Sequence, residues 1–210
     1  YPLPTLLTIF RKVCDAMSFA HSNGILHRDL KPENIMVGEY GEVLVMDWGL
    51  AKVLGERPHD LGRQAPVCDT GYYGMTLEGE VMGTPQYMSP EQAEGMVADL
   101  DARSDIYSLG GILYALLTRR PPIDGTTLEE VLTKVKSGQI SAMTTKRSSG
   151  QHGAVATPLS MGVEVPDALQ AVTLKAMATD RDKRYTSVEL FAADIEAYQN
   201  GFATSAEGAG

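Results

Sequence analysis

Within one short stretch, His27-Arg28-Asp29-Leu30-Lys31-Pro32-Glu33-Asn34, the sequence gathers a carboxylate, an ammonium and a carboxamide at close spacing. A carboxylate such as Asp29 can accept the proton of a hydroxyl nucleophile and orient it, which is typically worth roughly 10²–10⁴-fold in rate. The ammonium of Lys31 can neutralise charge on a transferring anionic group, and the amide oxygen of Asn34 is a hard ligand suited to Mg²⁺. Further along, Asp47-Trp48-Gly49 sets a second carboxylate beside a flexible glycine.

These side chains need elements that bring them together. Over residues 6–20, Leu6, Ile9, Phe10, Val13, Met17 and Ala20 recur at helical intervals, and Gly24 follows where a left-handed cap is easy, so a core-facing helix is expected. Two β-favouring runs, 34–37 and 42–46, are joined by Gly38-Glu39-Tyr40-Gly41 and predict a small hairpin. Residues 53–82 lack periodicity and read as a long loop, of the kind that is usually functional or mobile. The run 104–118, SDIYSLGGILYALLT, is apolar enough to be the central buried helix. Thr127 with Glu130, and Thr186 with Glu189, have capping-box spacing for helices ending near Gly138 and Gly201, and Pro166 opens another through about Ala178. Residues 139–161 read as an irregular surface insertion, and no internal repeat is found.

Composition narrows the classes. The chain has 210 residues, 43% of them hydrophobic, enough for one sizeable core. A net charge of −9 argues against a general nucleic-acid surface, which would need a basic stripe. Cys14 and Cys68 lie far apart, without metal-ligand spacing, and a reducing cytoplasmic setting is the expectation. No apolar run approaches the roughly 18 residues that span a bilayer.

The string from His27 to Asn34 matches, at every fixed position, the H-R-D-L-x-x-x-N catalytic loop of protein kinases. Asp47-Trp48-Gly49 resembles their D-F-G, with Trp for Phe, and Gly83-Thr84-Pro85-Gln86-Tyr87-Met88-Ser89-Pro90-Glu91 resembles the G-T-x-x-Y-x-A-P-E that closes the activation loop, with Ser for Ala. The chain is thus similar to bacterial, eukaryotic-like (Hanks-type) serine/threonine kinases over roughly residues 1–200. The resemblance implies Asp29 as catalytic base, Lys31 on the phosphoryl group, Asn34 and Asp47 as Mg²⁺ ligands (Mn²⁺ also fits), and Met36 under the adenine of ATP. It implies positional or regulatory roles for His27, Arg28, Thr84, Glu91, Asp105 and Arg184. In that pattern Thr84 contacts Asp29 and Lys31, Glu91 pairs with Arg184, and Asp105 holds the catalytic-loop backbone. Arg28 before the catalytic aspartate implies control by phosphorylation of the loop, with Thr70 and Thr76 as candidate sites ahead of Tyr72 and Tyr73.

The fold expected is mainly α with short β-hairpins, the C-terminal lobe of a kinase whose parent fold is α+β. Its activation segment would run over 47–91, and 201–210 would begin a linker or tail. No G-x-G-x-x-G and no V-A-I-K strand occurs, and Ala51-Lys52 is no substitute, so the small lobe is expected to be missing from a chain that starts at Tyr1. These residues alone should turn over negligibly. The intact parent should phosphorylate Ser or Thr of a protein substrate on the cytoplasmic side, with a membrane tether lying outside this stretch. The competing readings are a catalytically inactive kinase-like scaffold, disfavoured by Asp29, Lys31, Asn34 and Asp47 occurring together, and a small-molecule phosphotransferase, disfavoured by the acceptor platform at 83–91.

Overall fold

A computed structural model of the chain describes residues 1–54, 85–143 and 165–208. Helix α1 (Leu3–Ser22) buries Leu7, Phe10, Val13, Cys14, Met17 and Ala20, a spacing of three and four that makes one apolar stripe. It stops at Asn23, and Gly24 turns the chain with φ 71°, the left-handed conformation expected of that glycine. The short strand β1 (Ile25–Leu26) follows and pairs antiparallel with β4 (Lys52–Val53). Between them β2 (Ile35–Val37) and β3 (Val43–Val45) form the expected hairpin, with Ile35 opposite Val45 and Met36 opposite Leu44. The strand period of two sends Ile35, Val43 and Val45 towards the core and leaves Met36 and Leu44 half exposed.

Helix α3 (Ala102–Thr118) is the centre of the molecule. Ile106, Tyr107, Leu109, Leu113 and Tyr114 on it are all fully enclosed. Gly110 is required by close packing, because a Cβ there would lie 2.9 Å from that of Ala176. Around α3 pack α1, α5 (Asp167–Ala176) and α6 (Val188–Gln199), with Phe10 edge-on to Phe191 and Tyr185 stacked on Phe191. Helix α4 (Leu128–Lys136) sits apart on a small cluster of Ile123, Val131 and Val135. The observed architecture is mainly α, as expected, with the expected hairpin and a further two-residue pair, β1 with β4, that the sequence did not suggest.

The predicted caps need correction in detail. Thr127 caps α4 by accepting from the Glu130 amide, but the Glu130 carboxylate reaches the amide and hydroxyl of Thr126, so the box closes one residue early. Helix α6 is capped by Ser187, which accepts from the Leu190 amide, rather than by Thr186. A complete capping box instead starts the short α2 (Pro90–Ala93), between Ser89 and Gln92. No helix among the described residues is long and apolar enough to cross a membrane.

Candidate active site

The segment carrying Asp29 leaves β1 and is anchored by two buried side chains, His27 and Leu30. Its backbone is fixed from α3. Asp105, in the first turn of that helix, accepts from the main-chain amides of His27 and Arg28, each at 2.9 Å, and from Nε2 of His21 at 2.8 Å. Arg28 has φ 71°, a conformation that costs a non-glycine residue energy. It is held there from both sides, by Asp105 on its amide and by Gln92 Nε2, which donates to its carbonyl at 2.8 Å. Burial pulls the Arg28 guanidinium below the ordinary arginine value, against the opposing field of Asp105.

Beyond Arg28 the polar groups converge. Lys31 Nζ donates to Asp29 Oδ2 at 2.7 Å. Pro32, Glu33 and Asn34 form one 3₁₀ turn whose proline sits where no amide hydrogen is needed. The turn carries Asn34 back so that its Nδ2 donates to the Asp29 carbonyl at 2.8 Å and reaches Asp29 Oδ2 at 3.3 Å.

The hairpin then delivers the second carboxylate. The Met46 amide donates to the Asn34 carbonyl at 2.8 Å, one step beyond the last strand pair, so Asp47 follows directly on a bond to Asn34. His27 closes the circuit, because its Nε2 bonds to the Met46 carbonyl at 2.9 Å while Nδ1 accepts from the Asp29 amide at 3.3 Å. Those partners put the ring proton on Nε2. An unbroken path of hydrogen bonds thus runs Asp29, His27, Met46, Asn34 and back to Asp29. Asp47 itself takes φ 60°, the left-handed region, at the head of the turn Trp48–Leu50. Trp48 lies against His27 with ring centroids 4.5 Å apart and the two rings tilted by 57°, and its Nε1 donates to the Val45 carbonyl at 2.9 Å, a bond that the usual phenylalanine cannot make.

Two hard oxygen donors, one amide and one carboxylate, are available at this site. With its nitrogen committed to Asp29, Asn34 keeps its amide oxygen as a hard ligand, and a Cβ on Gly49 would lie 3.3 Å from Asp47 Oδ1, so the glycine leaves space beside that carboxylate. Among the described residues no cluster of His, Cys, Asp and Glu is arranged to hold a metal alone. Mg²⁺ normally takes one or two protein oxygen ligands and completes its shell with phosphate oxygens and water, so Asn34 and Asp47 are the residues here that could hold such an ion.

Further from the site, Glu91 and Arg184 pair as expected, with bonds of 2.8 and 2.9 Å between both nitrogens and both oxygens. Ser104 adds its hydroxyl to Glu91 at 2.7 Å, and the guanidinium lies 5.0 Å over the ring of Tyr107. Burial raises the Glu91 carboxyl, but Arg184 and Ser104 outweigh it and hold the group below the usual glutamate range. Thr84, Thr70 and Thr76, with Tyr72 and Tyr73, lie outside the described residues.

Residues 4–195 match the protein kinase domain. The chain belongs to the protein kinase family. It is 42% identical over 197 residues to serine/threonine-protein kinase PknD of Protochlamydia amoebophila, covering 93% of this chain and 18% of that protein. It is 38% identical over 199 residues to PknD of Chlamydia abortus, covering 94% of this chain and 19% of the relative. It is 39% identical over 190 residues to probable serine/threonine-protein kinase PknB of Bifidobacterium longum, covering 90% of the chain and 23% of the relative. The chain therefore spans about a fifth of the length of these curated relatives.

Sequence reasoning missed His21, Gln92 and Ser104, each of which supports a predicted residue. The Ser89-Pro90-Glu91-Gln92 string carried a visible capping signature. His21 carried none, since its partner lies 84 residues away.

Proposed function

We propose that this chain is the C-terminal lobe of a protein kinase that transfers the γ-phosphoryl group of ATP to serine or threonine of protein substrates, the activity residing in the intact protein. The observation that carries the reading is the closed hydrogen-bond path that joins Asp29, His27, Met46 and Asn34 and leads directly to Asp47. In this role Asp29 orients the acceptor hydroxyl and takes its proton, while Lys31, bonded to Asp29, screens the charge of the moving group. Asn34 and Asp47 would hold Mg²⁺, which when bound supplies charge neutralisation between the phosphates. Arg28 would pair with a phosphate on Thr70 or Thr76 and so order the loop.

The outward face of the hairpin supports the lobe assignment. Met36 and Leu44 sit opposite each other and are 50% and 58% exposed, and Trp48, Leu50, Val53 and Leu54 are exposed as well. A second lobe and the adenine ring of ATP would cover such a surface, which soluble domains seldom leave open to water. Serine/threonine specificity rests on the Lys31-Pro32-Glu33-Asn34 string and on the names of the relatives.

The test is phosphorylation of a Ser/Thr acceptor protein by the intact protein with MgATP, compared with its Asp29→Asn variant. The variant keeps the shape and loses the base, so the rate should fall by roughly 10²–10⁴-fold. Equal rates in the two proteins would refute the assignment. No transfer by either would favour the inactive-scaffold reading.

A further inference from the structure

The protein kinase match ends at residue 195, yet the chain beyond α6 is bound to the lobe by polar contacts centred on one carboxylate. Asp194, only 6% exposed, accepts at Oδ2 from the Tyr185 hydroxyl at 2.6 Å and from the Ser205 hydroxyl at 2.7 Å, and at Oδ1 from the Ser205 amide at 2.7 Å. Lys175 of α5 completes the cluster, with its Nζ donating to Ser205 Oγ at 2.9 Å and lying 4.3 Å over the Tyr185 ring. Thr204 is buried, its amide and hydroxyl both given to Glu207, and Ala206 packs against the main core. Within the stretch 201–210, expected to begin a linker or tail, residues 204–206 are latched to α6 and α5.

Ser205 is the one residue of this latch that combines an exposed position with a phosphorylatable hydroxyl engaged by the buried acid. We propose that Ser205 is a phosphorylation site and that its modification releases the tail from Asp194. In the step, Ser205 Oγ attacks the γ-phosphorus of ATP, the bond to the β-phosphate bridging oxygen breaks, ADP leaves and the hydroxyl proton passes to the base of the modifying kinase. The step requires a serine/threonine kinase but not this one, so the inference stands apart from this chain's own activity. The product has lost the hydrogen that Ser205 gave to Asp194 and has gained a charge of roughly −1.5 to −2 beside that carboxylate. Glu207 adds a further negative charge in the same turn, while Lys175 is already shared with Ser205 and the Tyr185 ring. Repulsion and the lost donor act together, and the docked arrangement gives way. Because the docked hydroxyl is occupied on both sides, the phosphate is added when the tail is open and prevents it from closing again.

Two measurements test this. Phosphopeptide mapping of the full-length protein purified from its own cells should find phosphate on Ser205, and its absence when the peptide is recovered in unmodified form would overturn the site. Separately, phosphoserine installed at 205 by genetic encoding in the full-length protein should speed amide exchange over 204–207 by about tenfold or more relative to serine, with α3 unchanged. Ser205→Ala, which removes the hydroxyl without adding charge, should give a smaller increase. Unchanged or slower exchange with phosphoserine, as would follow if Lys175 captured the phosphate and tightened the latch, would overturn the proposed release.

Discussion

A carboxylate sealed from water has to be neutralised where it stands, and Glu91 is neutralised by both terminal nitrogens of Arg184 together with the hydroxyl of Ser104. Truncating one partner strands the other charge, so Arg184→Ala should cost about 3–5 kcal/mol of unfolding free energy, read from denaturant melts at neutral pH. The Glu91 carboxyl is held below its ordinary value, so its contribution is fully present above about pH 4.3 and drains away as the pH falls through the lowered pKa. Glu91→Gln should therefore be less stable than the wild type at pH 7, with the gap narrowing in acid. A gap that stayed constant down to pH 2 would show that the pair does not stabilise through its charge. The motif residues were legible in the sequence because their types and spacing are set by chemistry. His21 and Ser104 were not, because a supporting partner can come from any element that passes close by.

Residues 27–34 have little regular structure of their own and borrow rigidity from α3. Asp105 carries that link. Replacing it with alanine leaves the buried amide of His27 and the part-buried amide of Arg28 without this acceptor, at about 1–3 kcal/mol for the buried one. Asp105→Ala should lower the melting temperature of the protein, and amide exchange at His27 and Arg28 should accelerate more than in α6. Protection at those amides equal to wild type would show that α3 does not hold the segment. The long elements were readable from periodicity, as the stripe on α1 and the apolar run of α3 illustrate. The pair of β1 with β4 was not, since each strand has only two residues and its partner lies across the whole hairpin. The shift of the α6 cap from Thr186 to Ser187 has a similar origin: neighbouring hydroxyls satisfy the same sequence pattern, and only the packed backbone chooses between them.

Taken together, the described elements form a helical body around α3, with the polar groups on the segments that follow β1 and β3 and exposed apolar side chains on the hairpin. The tail was the least legible part, because a short polar run after a helix looks like a linker until the buried Asp194 that receives it is known. The proposed function requires that the carboxylates of Asp29 and Asp47 border one nucleotide-metal site. It is tested most directly by paramagnetic broadening in the intact protein, with ¹³C-labelled aspartate side chains and Mn²⁺·ATP added in place of the magnesium complex. Resonances assigned through Asp29→Asn and Asp47→Asn should both broaden, Asp47 first, while that of Asp194 stays sharp. Broadening of one of the two site carboxylates with the other untouched would contradict the account.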